Sequence, residues 1–187
     1  MYSTNEFRKG LKVEIDGEPF VIVDYQHVKP GKGNAFVRTK LKSLITGNVL
    51  DKTFKSGEKV NRPDLEAKSV QYLYRDGQDF IFMDNQTYDQ FSVPADHLGE
   101  AAKFMKENMD AELLFYKGKA IDIQIPTFLN FKVTKTEPGI RGDTVSGATK
   151  PAEIESGAIV QVPLFIEEGD VIKVDTRTGK YVERVKE

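Results

Sequence analysis

"LKVEIDGEPFVIVDYQHVKPGKGNAFVRTKL", Leu11 to Leu41, decides how the first third of this chain folds. "LKVEI" alternates apolar and polar residues, Asp16-Gly17 supplies a tight turn, and "PFVIVDYQHV" runs back. Alternation with period two around an Asp-Gly pair predicts a β-hairpin. The next turn, "PGKGNA", sets Lys32 between two glycines just after Pro30. Pro30 fixes its own φ and stiffens the approach, while Gly31 and Gly33 permit backbone angles that bulkier residues avoid. "AFVRTKL" then resumes the strand pattern. Strands on both sides hold the base of the loop while its tip projects. Lys29, Lys32, Arg38, Lys40 and Lys42 are predicted to form a basic edge, with Phe36 and Val37 alternating inward. Such an edge suits phosphate tracking, although a Gly-Lys-Gly hairpin is also a common surface feature.

The same punctuation continues along the chain. "AFVRTKL" and "NVLDKTF" flank "ITGN", and "KSVQYLYR" and "DFIFMD" flank "DGQ". "LLFYKGKAIDIQIP" reads as strand, Lys-Gly-Lys turn, strand. "AIVQVPLFI" and "DVIKVDT" flank "EEG", and "TRTGKYVERV" closes on a Thr-Gly turn. Turns every 8–12 residues with Val, Ile, Phe and Tyr between them predict an all-β protein of barrels or sandwiches. One helix is predicted, over "PADHLGEAAKFMKEN". Pro94 and Asp96 suit its start, and Leu98, Ala101, Ala102 and Met105 fall on one helical face. Its expected task is to plug or cap a barrel end, with His97 a solvated or capping residue.

Composition shifts divide the chain. "SGEKVNRPDLEA" separates a basic block from an acidic one, so a boundary is expected near residue 65, and "IPTFLNF" opens a third run near residue 127. The pieces 1–65, 66–127 and 128–187 are each of small-barrel size. The formal net charge is −2, but these pieces carry +4, −5 and −1. Between His27 and Arg62 nine basic residues face two acidic ones. This local field is what a polyanion meets, because screening cuts it off within roughly 8–10 Å.

Several chemistries lack their residues. With no cysteine, disulfides, thiolate zinc sites and thiol catalysis are excluded. Two histidines far apart in sequence argue against a histidine-built metal site, and nothing suggests a Ser-His-Asp arrangement. "PGKGNA" lacks the spacing of a nucleotide-binding loop and precedes a strand, not a helix. No metal or cofactor is expected. The N-terminal "MYSTNEFRKG" has no apolar core of a signal peptide, and no apolar run spans a membrane, so a cytoplasmic chain is expected. On that reading "NQT" at Asn85 is no glycosylation site, and "RGD" at Arg141–Asp143 is no adhesion motif.

The stretch "EPGIRGDTVSGATKPAEIESGAIVQVPLFIEEGDVIKVDTRTGKYVERV" closely resembles the signature region of the bacterial elongation factor P family. "NEFRKGLKVEIDGEPFVIVDYQHVKPGKGNAFVRTKL" and "KTFKSGEKV" resemble that family as well, so the likeness runs essentially end to end. It implies three β domains in an L-shaped, tRNA-like arrangement: an SH3-like (KOW-like) barrel followed by two OB-fold barrels. It implies a monomeric, non-enzymatic factor that binds the ribosome between the P and E sites beside peptidyl-tRNA and relieves stalling at consecutive prolines. Lys32 matches the family's loop-tip residue, which reaches toward the CCA end and is extended in many relatives by a lysine-modifying enzyme. Gly142, Asp143 and Thr144 match a loop that approaches the mRNA codon in the E site, with Arg141 beside it as a phosphate partner. Tyr181 and Arg184 are weaker candidates for tRNA or ribosomal RNA contact, against strand packing and a solvated charge. Two rivals remain: a close paralogue acting on other stalls, and a general single-stranded-RNA-binding OB protein.

Overall fold

The computed structural model describes residues 1–139 and 147–186. The chain is all-β. Its strands are β1 (Tyr2–Ser3), β2 (Lys12–Ile15), β3 (Glu18–Val28), β4 (Phe36–Ser43), β5 (Val49–Lys55), β6 (Lys59–Val60), β7 (Leu65–Asp76) and β8 (Asp79–Asp84). There follow β9 (Gln90–Pro94), β10 (Asp110–Tyr116), β11 (Lys119–Gln124), β12 (Phe128–Thr136), β13 (Thr149–Ile154), β14 (Ile159–Pro163), β15 (Val171–Asp175) and β16 (Lys180–Val185). They build sheets of order β2-β3-β4-β5, β11-β10-β7-β8-β9 and β14-β13-β12-β15-β16, with a small β1-β6 ribbon.

Two compact units divide the chain: Met1–Ala67 with Leu114–Asp122, and Lys68–Leu113 with Ile123–Glu187. In the first unit the Asp-Gly hairpin forms as predicted. Asp16 and Gly17 take φ of 53° and 76°, the left-handed pair that matches strand twist in a two-residue turn. Val13, Phe20, Ile22, Val37, Leu41 and Phe54 close the core, where Phe7 meets Phe54 edge to face at 5.4 Å. The register between β3 and β4 shifts between Ile22 and Asp24. The shift puts Asp24 on the solvent side beside Val23 and turns Tyr25 toward the core, as a bulge does by adding one residue to a strand.

In the second unit β7, β8 and β9 run antiparallel in succession. The C-terminal sheet buries Phe131, Val133, Ile154, Val162, Ile166, Ile172 and Val174. "AIVQVPLFI" and "DVIKVDT" are strands, but they do not pair with each other: β14 pairs with β13, and β15 lies between β12 and β16. After Pro163 the chain buries Ile166 completely, and Gly169 N–H then donates to the Val133 carbonyl, 2.9 Å. This crossing carries the chain to the far side of β12.

The predicted helix over 94–108 is absent. Two 3₁₀ turns stand in its place, Ala95–His97 and Gly99–Phe104. Gly99 adopts φ +58°, which interrupts any right-handed helix. Met105 is extended at φ −78°, ψ 126°. Phe104 and Met105 are both buried, and the extended residue lets these neighbours diverge, as strand residues do. The segment still plugs a core, that of the C-terminal sheet, where the Phe104 ring lies 6.3 Å from Phe131.

Candidate nucleic-acid interface

The loop 29–35 joins β3 to β4, and Lys29, Pro30, Gly31, Lys32, Gly33 and Asn34 are all exposed. Gly33 has φ +97°, whereas Gly31 does not enter the positive region. A Cβ at either glycine would meet nothing within 4 Å. Among the described residues none gives the Lys32 ammonium a hydrogen bond or an ion pair. The tip is bare, and its shape depends on Gly33.

On β4 the side chains alternate strictly. Val37, Thr39, Leu41 and Ser43 are buried, while Arg38, Lys40 and Lys42 are exposed on one face. Phe36 is half-buried, and the Arg38 guanidinium lies 5.4 Å from its ring centre. Thr39 turns its hydroxyl inward to donate to the Lys52 carbonyl, 2.7 Å. The register then shows what a count along the chain misses. Lys40 stands opposite Asp24 on β3 and Asp51 on β5, whereas Arg38 stands between Gln26 and Thr53, and Lys42 between Val21 and Val49. Opposite charges directly across a sheet compensate one another. Of these three cations, Arg38 and Lys42 lack a carboxylate opposite and Lys40 does not, so β4 does not present an unbroken stripe. Asp24 also carries Lys9 at 3.8 Å.

The remaining candidates lie in the second unit. Tyr181 is half-buried and packs against the C-terminal core. It sits opposite Val174, so its ring is committed to strand packing. Arg184 is exposed, with its guanidinium 5.4 Å from the exposed ring of Phe165. That cation-on-aromatic pair is open to solvent. Arg141, Gly142, Asp143 and Thr144 lie outside the described residues. Asn85 is engaged locally, donating through Nδ2 to Ser69 Oγ at 2.9 Å and Asp110 Oδ1 at 3.4 Å.

A cleft of about 750 Å³ in the second unit is lined in part by Arg75, Lys103 and Arg177. Lys103 pairs with Glu100 at 2.8 Å and Arg177 with Asp175 at 3.0 Å, so two of its three cations are already matched. Among the described residues no group of three His, Cys, Asp or Glu is placed to hold a metal, and no helix is long and apolar enough to cross a membrane.

The comparisons bear on this architecture directly. The elongation factor P KOW-like domain matches residues 3–60, the elongation factor P OB domain residues 65–123, and the elongation factor P C-terminal domain residues 129–184. Among solved structures, a eukaryotic translation initiation factor 5A from Methanococcus jannaschii superposes with a TM-score of 0.56 at 26% identity, covering 64% of this chain and 88% of its own. A translation initiation factor eif-5a family protein from Naegleria fowleri, at 17% identity and TM-score 0.52, covers 66% of this chain and 96% of its own and shares the fold. These define the class: a translation factor assembled from KOW-like and OB modules. Elongation factor P of Coprothermobacter proteolyticus is 55% identical over 99% of this chain and all of its own length. That of Maridesulfovibrio salexigens is 53% identical over 100% of both. The chain belongs to the elongation factor P family, a family of translation elongation factors.

One long-range contact has no counterpart in the local sequence. Tyr116, in "LLFYKGK", is 6% exposed and donates its hydroxyl to the Gly17 carbonyl at 3.0 Å. No local pattern signals this, because the partners are 99 residues apart.

Proposed function

We propose that this chain binds the ribosome between the P and E sites, beside peptidyl-tRNA, and stimulates peptide-bond formation at consecutive prolines through Lys32. One observation carries the proposal: Lys32 is exposed on a bare loop, engaged by no other described residue. A side chain so presented has its donors available to a partner. Family membership supports the same role for this position.

The physical need is clear. Proline is a constrained secondary amine and a poor peptidyl donor, so a run of prolines misaligns the reacting ends. Holding reactants in near-attack geometry can recover several kcal/mol of barrier without acid–base chemistry. The factor is accordingly not an enzyme but acts on a reaction that the ribosome catalyses. A lysine reaches roughly 6 Å from its Cα on ordinary bond lengths. Extension of Lys32 by a modifying enzyme about doubles that reach and adds cationic donors for RNA phosphate and sugar. Arg38 and Lys42 supply phosphate contacts beside the loop, and Lys29 does so at its base. Arg184 serves the same purpose in the C-terminal part, and 142–144 approaches the E-site codon.

The proposed division is into three domains, 1–65, 66–127 and 128–187, acting as a cytoplasmic monomer without a cofactor. The spans of the three family domains support those boundaries. The test is Lys32→Ala in reconstituted translation of a Pro-Pro-Pro reporter. Parental thermal unfolding with lost stall relief is expected, and full activity of the variant would refute the role. Intact mass and peptide mapping of the native protein identify the group on Lys32.

A further inference from the structure

The chain turns sharply at the end of β14. Ile166 N–H donates to the Pro163 carbonyl at 3.1 Å, which closes a turn with Leu164 and Phe165 at its centre. Turn centres are ordinarily filled by Gly, Pro, Asn, Asp or Ser, so backbone geometry does not call for an aromatic residue here. Both neighbours of Phe165 are committed. Ile166 is buried in the C-terminal core. Leu164 abuts Gly139, where a Cβ would lie 2.6 Å from the Leu164 carbonyl oxygen and 3.2 Å from its Cβ. Phe165 shares in neither contact and is 57% exposed. A large ring left in water forfeits the stabilisation that its burial would contribute. The Arg184 guanidinium lies 5.4 Å from the centre of that ring, within cation–π range. Across the sheet Arg184 stands opposite Ile172 rather than a carboxylate, and no other described side chain engages it.

We infer that Phe165 is a stacking platform for an unpaired base of the mRNA, with Arg184 taking a phosphate of the same strand. This rests on the reading that the chain binds the ribosome beside peptidyl-tRNA and that 142–144 approaches the E-site codon. The chemistry is that of single-strand recognition. Every base has a π-face, and unpaired RNA bases stack on aromatic rings and guanidinium planes. A guanidinium lying against a ring keeps its N–H donors, so its fork remains open to a phosphate. Position points to the mRNA. Gly139 packs against the turn that carries Phe165, and three residues of chain lead from it to Gly142, at most ~11 Å when fully extended. Phe165 therefore stands close to the stretch proposed to meet the codon. The crossing that follows the turn carries Glu167, Glu168 and Asp170, but two of these carboxylates are turned to backbone donors. Glu168 Oε1 accepts from Thr136 N–H at 3.2 Å, and Asp170 Oδ2 accepts from Glu167 N–H at 2.9 Å.

The experiment measures the affinity of the full-length factor for ribosomes assembled directly on a synthetic mRNA, with a charged tRNA in the P site and a vacant E site. Nucleotides upstream of the P-site codon are then never decoded, so an abasic nucleotide can be placed at each in turn. The parent is compared with Phe165→Ala, Phe165→Leu, Phe165→Trp and Arg184→Ala. Phe165 lies outside the core, so parental thermal unfolding is expected of its variants. Phe165→Leu keeps an apolar side chain and removes the π-face. It and Phe165→Ala are expected to weaken binding about five- to a hundredfold, the range for loss of one stacked base, whereas Phe165→Trp binds at least as tightly as the parent. The slope of log affinity against log salt is expected to stay parental in the Phe165 variants and to fall by about 0.7 in Arg184→Ala, the value of one single-strand phosphate. At one upstream position an abasic nucleotide should weaken the parent by a similar factor and leave Phe165→Ala almost unaffected, the coupling that a direct contact requires.

Parental binding by Phe165→Leu would show that no base stacks on the ring, whether it meets an apolar protein surface or nothing. Equal loss in Phe165→Ala on the intact mRNA and on every abasic mRNA would mean that the ring meets something other than the mRNA, and would overturn the assignment. A parent that binds none of these ribosomes would instead overturn the proposed function.

Discussion

The ring of Phe104 occupies the space that a side chain at Gly179 would need: a Cβ there would lie 3.2 Å from Phe104 Cζ. Gly179 itself is at φ +71°. The approach is held from both sides, because Ser156 Oγ donates to the Lys103 carbonyl at 2.6 Å and Lys106 Nζ donates to the Asn130 carbonyl at 2.8 Å. Lys106 also pairs with Glu155 at 3.4 Å. Phe104→Ala is expected to cost about 3–5 kcal/mol, as for a buried phenylalanine. Gly179→Ala is expected to cost roughly 1–2 kcal/mol from its backbone angle alone, and more from the contact. Because the ring causes that extra part, Gly179→Ala should cost less in the Phe104→Ala background. A double-mutant cycle by urea unfolding reads this coupling, and strict additivity would contradict the contact.

The two glycines of the lysine loop are predicted to behave differently. Gly31→Ala meets open space at an ordinary backbone angle, so stability and stall relief should stay close to parental. Gly33→Ala also meets open space, but φ +97° is a conformation that L residues rarely hold. The exposed loop is expected to relax into another shape, leaving thermal unfolding within about 0.5 kcal/mol of parental while stall relief drops. Equal activity of the two variants would show that the loop shape is irrelevant.

Lys40 stands between Asp24 and Asp51, whereas Arg38 and Lys42 have no carboxylate opposite. If this face tracks phosphate, the three cations contribute unequally. Arg38→Ala should lower the slope of log affinity for the ribosome against log salt by about 1, the value of one phosphate contact. Lys40→Ala should lower it by less than about half as much, because its charge is already shared with two carboxylates. Equal slopes for the two variants would argue that Lys40 is also free.

Acid sensitivity has two identifiable sources in the second unit. The Asp84 carboxylate accepts from Gln86 N–H at 2.8 Å and Thr87 N–H at 3.2 Å, and these bonds lower its pKa. Asp175 is likewise lowered, first by the Arg177 guanidinium, which reaches its two oxygens at 3.2 and 3.0 Å. A carboxylate whose pKa is lower folded than unfolded adds stability above the unfolded value of about 3.9 and loses it as pH falls through the folded one. Asp84→Asn and Asp175→Asn should therefore destabilise near neutral pH. The gap to the parent should close as pH drops from ~5 to ~2, followed by chemical unfolding at each pH. A gap that widens toward acid would reverse the assignment.

Local features of this chain were legible in its residues. The turns at Asp16-Gly17, Gly77-Gln78 and Lys117-Gly118, and the alternation along β4, follow from backbone sterics and a period of two, which a short window contains. The bare lysine loop was legible for the same reason, and the end-to-end likeness pointed to the family that the comparisons establish. What a window does not contain came from tertiary structure. Leu98, Ala101, Ala102 and Met105 have helical spacing, yet Gly99 and the burial of Phe104 in the C-terminal core broke the segment into 3₁₀ turns. Strand identity did not reveal that β15 joins β12 and β16 rather than β14. A charge count could not place Asp24 beside Lys40, and no pattern could bring Tyr116 to Gly17. Pairing partners are chosen by burial across the whole unit, so distant residues meet only when the sheets close. Short-range backbone sterics thus specify the strands, turns and projecting lysine from neighbouring residues alone. Which charges of β4 stay unmatched, and that the Tyr116 hydroxyl reaches the Gly17 carbonyl, follow from how the sheets close.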